Sequence, residues 1–134
     1  MLGYIEREHY IMNGWIIHKK QLGENHEVER LVEEFEKRDV KVRVVNPKDV
    51  DIIVDRDDRK SIIVEGVPRK LPDFVLPRTG SGTTYFIKAI IRHLERLGVV
   101  LINGSEAIDA VKDKLYSQQI LGQSNLPVPK TMLV

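Results

Sequence analysis

Apolar and polar positions in the first third of the chain repeat with periods that predict a strand, a helix and a second strand. Residues 14–18 form an apolar run that ends at polar residues, as a buried strand does when it reaches a loop. Residues 40–45 alternate apolar and basic side chains and stop before Pro47, so they predict a second strand. Between them, apolar residues recur at helical spacing opposite a charged face, with the apolar set Val28, Leu31, Val32 and Phe35. This order is typical of a crossover between two parallel strands.

The middle of the chain predicts a hairpin and a return to the parallel sheet. Residues 51–54 and 61–64 are short β-rich runs on either side of the charged residues 55–60, and they predict an exposed hairpin. We expect the hairpin to close at residues 65–68, which contain glycine and proline. Residues 71–77 are bounded by prolines and predict a further strand of the parallel sheet.

A second amphipathic helix follows that strand. It is predicted over residues 84–97, with Ser81 or Thr83 available to cap it and Gly98 to end it. Residues 99–102 predict one more buried strand. The predicted fold class is therefore α/β: a small, open, mostly parallel, Rossmann-like sheet flanked by helices, with a short β-hairpin excursion.

The last part of the chain predicts the end of a domain. Two short helices are predicted over residues 103–111 and 113–121, and Asp113 caps the second one. The prolines that follow favour extended backbone, and residues 130–134 predict the start of another strand. The predicted organisation is an N-terminal extension over residues 1–13, an α/β domain over 14–123, and a linker with the start of a further domain over 124–134.

Composition excludes several classes of protein. The 134 residues are 42% hydrophobic and 31% charged, as in an ordinary globular domain. The net charge of +1 gives no reason to expect a nucleic acid or membrane partner. There is no cysteine, so disulfides, thiolate metal sites and a cysteine nucleophile are excluded. Because no apolar run suits a signal peptide or a membrane span, we expect a cytoplasmic protein.

The loop after the predicted strand 71–77 is the main candidate site. Ligands of open parallel sheets bind beyond the carboxyl ends of the strands. This loop reads Arg78, Thr79, Gly80, Ser81, Gly82, Thr83 and precedes a helix N-terminus. Two glycines, three hydroxyls and one guanidinium could hold a carboxylate or a phosphate, although the same residues also suit a simple strand-to-helix turn. The glycine spacing fits neither a Walker loop nor a dinucleotide fingerprint.

The other polar candidates have plainer interpretations. The loop over residues 18–26 contains two histidines without a carboxylate pattern, so we interpret it as a solvated loop and not as a metal site. His9 and His93 are predicted to be surface residues, and Trp15 a core residue. Asp113 followed by a lysine is typical of a helix cap. No catalytic residue and no metal ligand is assigned in this chain.

Taken together, the order of these elements resembles the front of an ATP-grasp carboxylate–amine ligase of the RimK type. That group includes ribosomal-protein glutamate ligase, lysine-biosynthesis ligases and coenzyme glutamate ligases. The resemblance covers about residues 14–134. The residues that carry it are Leu71, Pro72, Pro77, Arg78, Gly98, Val99, Asn103, Ser105, Asp113, Lys114, Leu115, Pro127, Pro129 and Thr131.

The resemblance implies a reaction in which ATP phosphorylates a substrate carboxylate and an amine attacks the acylphosphate to give an amide. It implies that Arg78, Thr79, Gly80 and Ser81 face the active-site cleft and hold substrate, and that Lys114 lies near the nucleotide cleft. ATP and Mg²⁺ would be bound mainly by a downstream ATP-grasp domain, so we expect this chain alone to be inactive. The implied partners are carboxylate and amine substrates, with a protein tail or a carrier protein among the candidates, and a homo-oligomer is a further expectation.

Two other interpretations remain open. A stand-alone α/β binding or oligomerisation module without activity would give the same predicted elements. A receiver-like regulatory domain would need acidic residues at the strand ends, where His18, Asn46 and Pro47 stand instead.

Overall fold

The chain alternates strands and helices in the order that its hydrophobic pattern predicts. The structure, a computed structural model, describes residues 10–19, 25–56, 61–132 and 134. Short 3₁₀ turns cover Pro47–Asp49 and Gly80–Gly82. The strands and helices are β1 (Asn13–Ile17), α1 (His26–Glu36), β2 (Lys41–Val45), β3 (Val50–Ile52), β4 (Ile62–Val64), β5 (Val67–Pro68), β6 (Phe74–Pro77), α2 (Tyr85–Arg96), β7 (Val100–Leu101), α3 (Ser105–Lys112) and α4 (Lys114–Gln123).

Four strands form a parallel sheet in the order β2-β1-β6-β7. Gly14 of β1 is opposite both Val42 of β2 and Phe74 of β6, and Phe74 is opposite Val100 of β7. The chain places β2 on one side of β1 and β6 on the other side, so the strand order reverses between β1 and β6. Open α/β sheets bind ligands at such topological switch points. The predicted fold class is confirmed.

A second, antiparallel sheet of three strands, β3-β4-β5, forms the predicted hairpin. Its last strand, β5, was not predicted, because the end of the hairpin was expected at residues 65–68. Glu65 and Gly66 connect β4 to β5 with φ angles of 54° and 73°, and two successive positive φ angles suit a two-residue hairpin turn. Residues 57–60, in the charged segment of the predicted hairpin, lie outside the described residues.

The main core lies where the parallel sheet, α2 and the hairpin meet. One cluster joins Ile17 of β1, Ile90 of α2 and Ile62 of β4, each at most 1% exposed. Trp15 is 7% exposed and belongs to the same cluster, which confirms it as a core residue. Helix α1 supplies a separate contact, because the rings of Phe35 and Phe74 lie 5.3 Å apart between centroids. Because successive side chains of a strand point to opposite faces, the sheet packs against α2 and the hairpin with one set of residues and against α1 with the other.

Residues 10–13 attach to the sheet through Asp73. The carboxylate of Asp73 accepts hydrogen bonds from the backbone amide of Asn13, at 2.7 Å, and from the hydroxyl of Tyr10. The hydrogen bond from the Asn13 amide, followed by that from Tyr10, lowers the pKa of Asp73. The start of β1 is thus tied to the segment that precedes β6.

The predicted surroundings of α2 need two corrections. Its N-cap is Thr84, whose hydroxyl accepts from the amide of Ile87 at 3.4 Å, and not Ser81 or Thr83. His93 is 6% exposed and not a surface residue, because the hairpin packs on that side of α2 and its Nε2 lies 2.7 Å from the hydroxyl oxygen of Ser61. Gly98, at φ 84°, ends the helix as predicted.

The C-terminal third is less buried than predicted. β7 has two residues instead of a four-residue buried strand, and Val100 is 61% exposed because β7 forms the edge of the sheet. The two short helices are confirmed as α3 and α4, which contain no buried residue. Residues 130–132 form no strand, since none of the described strands pairs with them. No helix within the described ranges has both the length and the hydrophobicity to span a bilayer.

Candidate functional site

A cleft of about 660 Å³ lies at the carboxyl end of β6, beside the N-terminus of α4. It brings together residues that are far apart in the sequence, and these include four of the predicted site residues: Arg78, Thr79, Gly80 and Lys114. Its other lining residues are Pro77, Thr83, Asn103, Ile108, Val111 and Lys112. The backbone of Ser81 belongs to the same loop, within the 3₁₀ turn.

The loop from Arg78 to Thr83 is braced from within. Thr83 is 3% exposed, and its hydroxyl donates to the carbonyl of Gly80 at 2.8 Å, while its oxygen lies 2.6 Å from the hydroxyl oxygen of Thr79. The amide of Thr83 donates to the same carbonyl of Gly80 at 3.2 Å. Gly80 has a φ of 57°, a conformation that other residues rarely adopt. Thr83 therefore stabilises the conformation of the loop and does not cap α2.

Side chains from two other parts of the chain reach the carbonyl oxygens of this loop. Nδ1 of His18 lies 2.6 Å from the carbonyl oxygen of Arg78. The ammonium of Lys19 donates to the carbonyl of Gly82, and that of Lys112 donates to the carbonyl of Thr83. Sequence reasoning missed all three contacts, although the position of His18 just after β1, at the ligand end of a parallel sheet, was a usable signal.

His18 is more enclosed than a solvated loop residue. A carbonyl oxygen only accepts hydrogen bonds, so Nδ1 of His18 carries the hydrogen in its contact with Arg78. Its Nε2 is buried and has no hydrogen-bond partner within the described ranges. The interpretation of a solvated loop is therefore wrong for His18, and residues 20–24 of the same loop lie outside the described residues.

Arg78 carries its charge towards α1. Its guanidinium lies 3.0 Å from the carboxylate of Glu27, in the first turn of α1, and the two side chains are 46% and 74% exposed. An exposed pair of this kind contributes little to stability and exchanges partners easily. Arg78 is therefore not held at Glu27 by a strong ion pair.

Helices α3 and α4 are held so that their lysines border the cleft. The carboxylate of Glu95 in α2 accepts from the amide of Ser105 at 2.8 Å and from its hydroxyl at 2.6 Å, which ties the start of α3 to α2. Asp113 accepts from the amide of Tyr116 at 3.0 Å and caps α4, as predicted. Lys114 follows this cap directly and forms no ion pair within the described part of the chain.

A salt bridge between α2 and α3 reinforces this arrangement. Lys88 lies 2.7 Å from the carboxylate of Asp109, and this hydrogen bond is the main cause that lowers the pKa of Asp109. Among the described residues, no group of three or more histidine, aspartate or glutamate side chains is arranged to hold a metal ion. Among the described residues, the charged side chains that line the cleft are those of Arg78, Lys112 and Lys114, all of them cations.

Comparison with known proteins finds a matching family model and several similar proteins. A family model described as the RimK PreATP-grasp domain matches residues 15–108. A probable alpha-L-glutamate ligase of Rhodopirellula baltica is 36% identical over 113 residues, which cover 78% of this chain and 26% of that protein. Proteins with closely similar names from Legionella pneumophila (strain Corby) and Shewanella amazonensis are each 34% identical over 102 residues, which cover 76% of this chain and 34% of each relative.

The chain spans about a quarter to a third of the length of the curated relatives it matches. The family match begins at Trp15, within β1, and contains β6, α2 and the whole loop from Arg78 to Thr83. The resemblance seen in the sequence is confirmed, and this protein belongs to the RimK PreATP-grasp domain family.

Proposed function

We propose that this chain is the substrate-side, N-terminal domain of a cytoplasmic ATP-dependent ligase that joins a carboxylate to an amine through an acylphosphate. The observation that carries the proposal is the cleft, where Arg78, Gly80 and Lys114 border about 660 Å³ at the carboxyl end of a parallel strand. The relatives are named as probable alpha-L-glutamate ligases, which supports glutamate as the amino acid that is joined.

The proposed reaction places specific demands on this domain. Magnesium ATP supplies the phosphoryl group that activates the substrate carboxylate, and it would be bound mainly by the remainder of the ligase. The amine then forms a bond to the activated carbonyl carbon and loses a proton, while phosphate leaves. Both steps place negative charge on oxygens, so cations and amides that are already in position accelerate them.

Arg78 and Lys114 supply positive charge at two sides of the cleft. Arg78 would bind the substrate carboxylate in exchange for Glu27, which lies 3.0 Å away and is itself exposed. We assign Lys114 to the phosphates, because it lines the same cleft at the N-terminus of α4 and forms no ion pair within the described residues. Lys112 already donates to the carbonyl of Thr83 and is assigned to support of the loop.

The exposed apolar side chains of the C-terminal third favour a second candidate function, an oligomerisation module. Val111, Tyr116 and Met132 are 70%, 50% and 79% exposed. Such side chains often mark a surface that another domain or protein covers. The remainder of a ligase and a second copy of this chain are both suitable partners, and light scattering on the 134-residue chain separates a monomer from a dimer.

The experiment that tests the ligase is an assay of ADP release by the product of the complete reading frame, with glutamate and an amine acceptor. Arg78→Ala is expected to lower kcat/KM by about 10- to 100-fold, since it removes a charge-assisted hydrogen bond in the transition state. Arg38→Ala is the matched control, because Arg38 also pairs with a glutamate on α1 but does not line the cleft. Its activity should stay at the wild-type level.

Titration of the 134-residue chain with magnesium ATP tests where the nucleotide binds. Only the complete protein is expected to bind ATP tightly. Tight binding by the short chain would place the nucleotide site at the loop from Arg78 to Thr83 and contradict the proposed division of roles. An equal effect of Arg78→Ala and Arg38→Ala on kcat/KM would contradict the substrate role of Arg78.

A further inference from the structure

We propose that His18 and Lys19 are positioning residues, which hold the loop from Arg78 to Thr83 in the conformation that binds an oxyanion. The proposal rests on the proposed function of the cleft and adds two residues to it. His18 and Lys19 are consecutive and follow β1 directly, yet they reach carbonyl oxygens near the two ends of the loop, those of Arg78 and Gly82.

The first argument concerns the acceptors of the loop. An anion is repelled by carbonyl oxygens and attracted by amides, so a loop binds an anion well only when its carbonyls are occupied elsewhere. The carbonyls of Arg78, Gly82 and Thr83 accept from His18, Lys19 and Lys112 respectively. The carbonyl of Gly80 accepts from the amide and the hydroxyl of Thr83.

The second argument concerns the donors of the loop. The amides of Thr79 and Gly80 form no hydrogen bond within the described ranges 10–19, 25–56, 61–132 and 134. Both residues line the cleft, and Arg78 precedes them directly. Four of the six carbonyls of the loop are thus occupied while the amides of Thr79 and Gly80 are available, which is the pattern of an oxyanion site.

The third argument concerns the strand that carries the two side chains. The carbonyl of Ile17, the last residue of β1, accepts from the amide of Arg78 at 2.8 Å, and His18 then holds the carbonyl of the same arginine. The amide and the carbonyl of Arg78 are therefore both held by hydrogen bonds, to the consecutive residues Ile17 and His18. Loss of His18 should free the carbonyl and let the peptide that joins Arg78 to Thr79 rotate.

Space at Gly82 gives an independent handle on Lys19. A Cβ at Gly82 would overlap the ammonium of Lys19, while the backbone of Gly82 does not lie in the left-handed region. Gly82→Ala should therefore displace the lysine from its carbonyl without backbone strain. At Gly80 the reverse holds, because a Cβ would meet nothing within 4 Å but φ is +57°.

The test uses nuclear magnetic resonance on the 134-residue chain, first without ligand. Long-range nitrogen–proton correlations should show that Nδ1 of His18 carries the hydrogen. His18→Ala should raise the exchange rate of the Thr83 amide by about 3- to 10-fold, the effect of one hydrogen bond. His18→Asn should restore the slow exchange, because its amide places a donor near the position of Nδ1. His26→Ala is the control, since His26 lies at the start of α1 and does not line the cleft.

The second part adds inorganic phosphate or glutamate and follows the amide shifts of Thr79 and Gly80. Both His18→Ala and Gly82→Ala should weaken anion binding by about 3- to 10-fold, whereas His18→Asn should bind like the wild type. Preference for phosphate over glutamate would identify a phosphoryl site, and the reverse preference a substrate carboxylate site.

The outcomes separate this inference from the proposed function. A hydrogen on Nε2 instead of Nδ1, or unchanged exchange in His18→Ala, would overturn the positioning role. If exchange responds as expected but the wild type binds neither anion, the anion function of the cleft fails while His18 stands as a positioning residue of the loop.

Discussion

The ring of Phe74 in β6 occupies the space beside the α-carbon of Gly14 in β1, its register partner in the parallel sheet. A Cβ at Gly14 would overlap the ring atoms of Phe74. Phe74 is 6% exposed and also contacts the ring of Phe35 in α1. The absence of a side chain at Gly14 therefore leaves room for the contact between Phe74 and Phe35, which joins α1 to the sheet. The cleft lies at the carboxyl end of β6, the strand that contains Phe74.

The first prediction is that Gly14→Ala destabilises the protein by about 1–3 kcal/mol, the cost of adding an atom to a filled core. Urea unfolding measures this change. Gly122→Ala is the control, because a Cβ there would meet only Val128, at an ordinary 3.8 Å, and alanine favours a helix.

A double-mutant cycle tests the cause of that effect. Phe74→Leu alone should also destabilise the protein, since it removes ring contacts. In the Phe74→Leu protein, however, Gly14→Ala should cost less than half of its effect in the wild type, because the ring is gone. Equal costs in the two backgrounds would show that the ring is not what excludes a side chain at Gly14.

The second prediction concerns the hydrogen bond that joins α2 to the hairpin. Ser61→Ala removes the hydroxyl that lies 2.7 Å from Nε2 of His93, and both residues are buried. We expect a loss of about 1–3 kcal/mol in the free energy of unfolding, because a buried polar group loses a partner. Ser124→Ala is the control, since its hydroxyl is exposed and, within the described part of the chain, donates to the carbonyl of Ile120 alone. Thermal unfolding of the two variants should differ clearly, and equal stability would contradict a structural role for the Ser61 contact.

The third prediction is a pH dependence in α1. Hydrogen bonds from Lys37 and then Arg38 lower the pKa of Glu34 from 4.5 to about 2. Because the folded pKa is depressed, the stabilisation is fully present above about pH 4.5 and is lost as the pH falls from there to about 2. Carbon-13 titration of the Glu34 carboxyl should show the low midpoint, and replacing Lys37 and Arg38 with methionine and glutamine should move it back towards 4.5. A midpoint near 4.5 in the wild type would show that these contacts are not formed in solution.

Most of the parallel sheet and its helices could be predicted because their periods are local. The spacing of Val28 and Phe35, and the proline after β2, are readable without knowledge of the fold. The burial of His93 was harder to predict, because this side of α2 is buried by the hairpin that packs on it, and that contact is not visible in the sequence of the helix. A signal was present, since His93 lies three residues after Ile90 on the same stripe.

Some residues of the candidate site could likewise be predicted from the sequence, whereas their long-range contacts could not. The rule that ligands bind at the carboxyl ends of strands was sufficient to select Arg78 and Gly80. The contacts of His18 and Glu27 with Arg78 join residues that are 60 and 51 positions apart, so no local pattern could reveal them. The exposure of Val100 likewise depends on β7 being the edge of the sheet, and strand order is not written in the strand itself.

The last prediction is that Glu27 competes with the ligand for Arg78. Glu27→Gln should change the free energy of unfolding by less than about 1 kcal/mol, because both side chains of the pair are exposed. It should raise the affinity of the cleft for phosphate or glutamate by about 2- to 5-fold, since the guanidinium no longer has to leave a carboxylate. Glu29→Gln is the control, because Glu29 lies in the same first turn of α1 but forms no ion pair within the described residues. Titration calorimetry compares the variants, and an equal gain in both would mean that the overall charge of α1, and not the pairing of Arg78, sets the affinity.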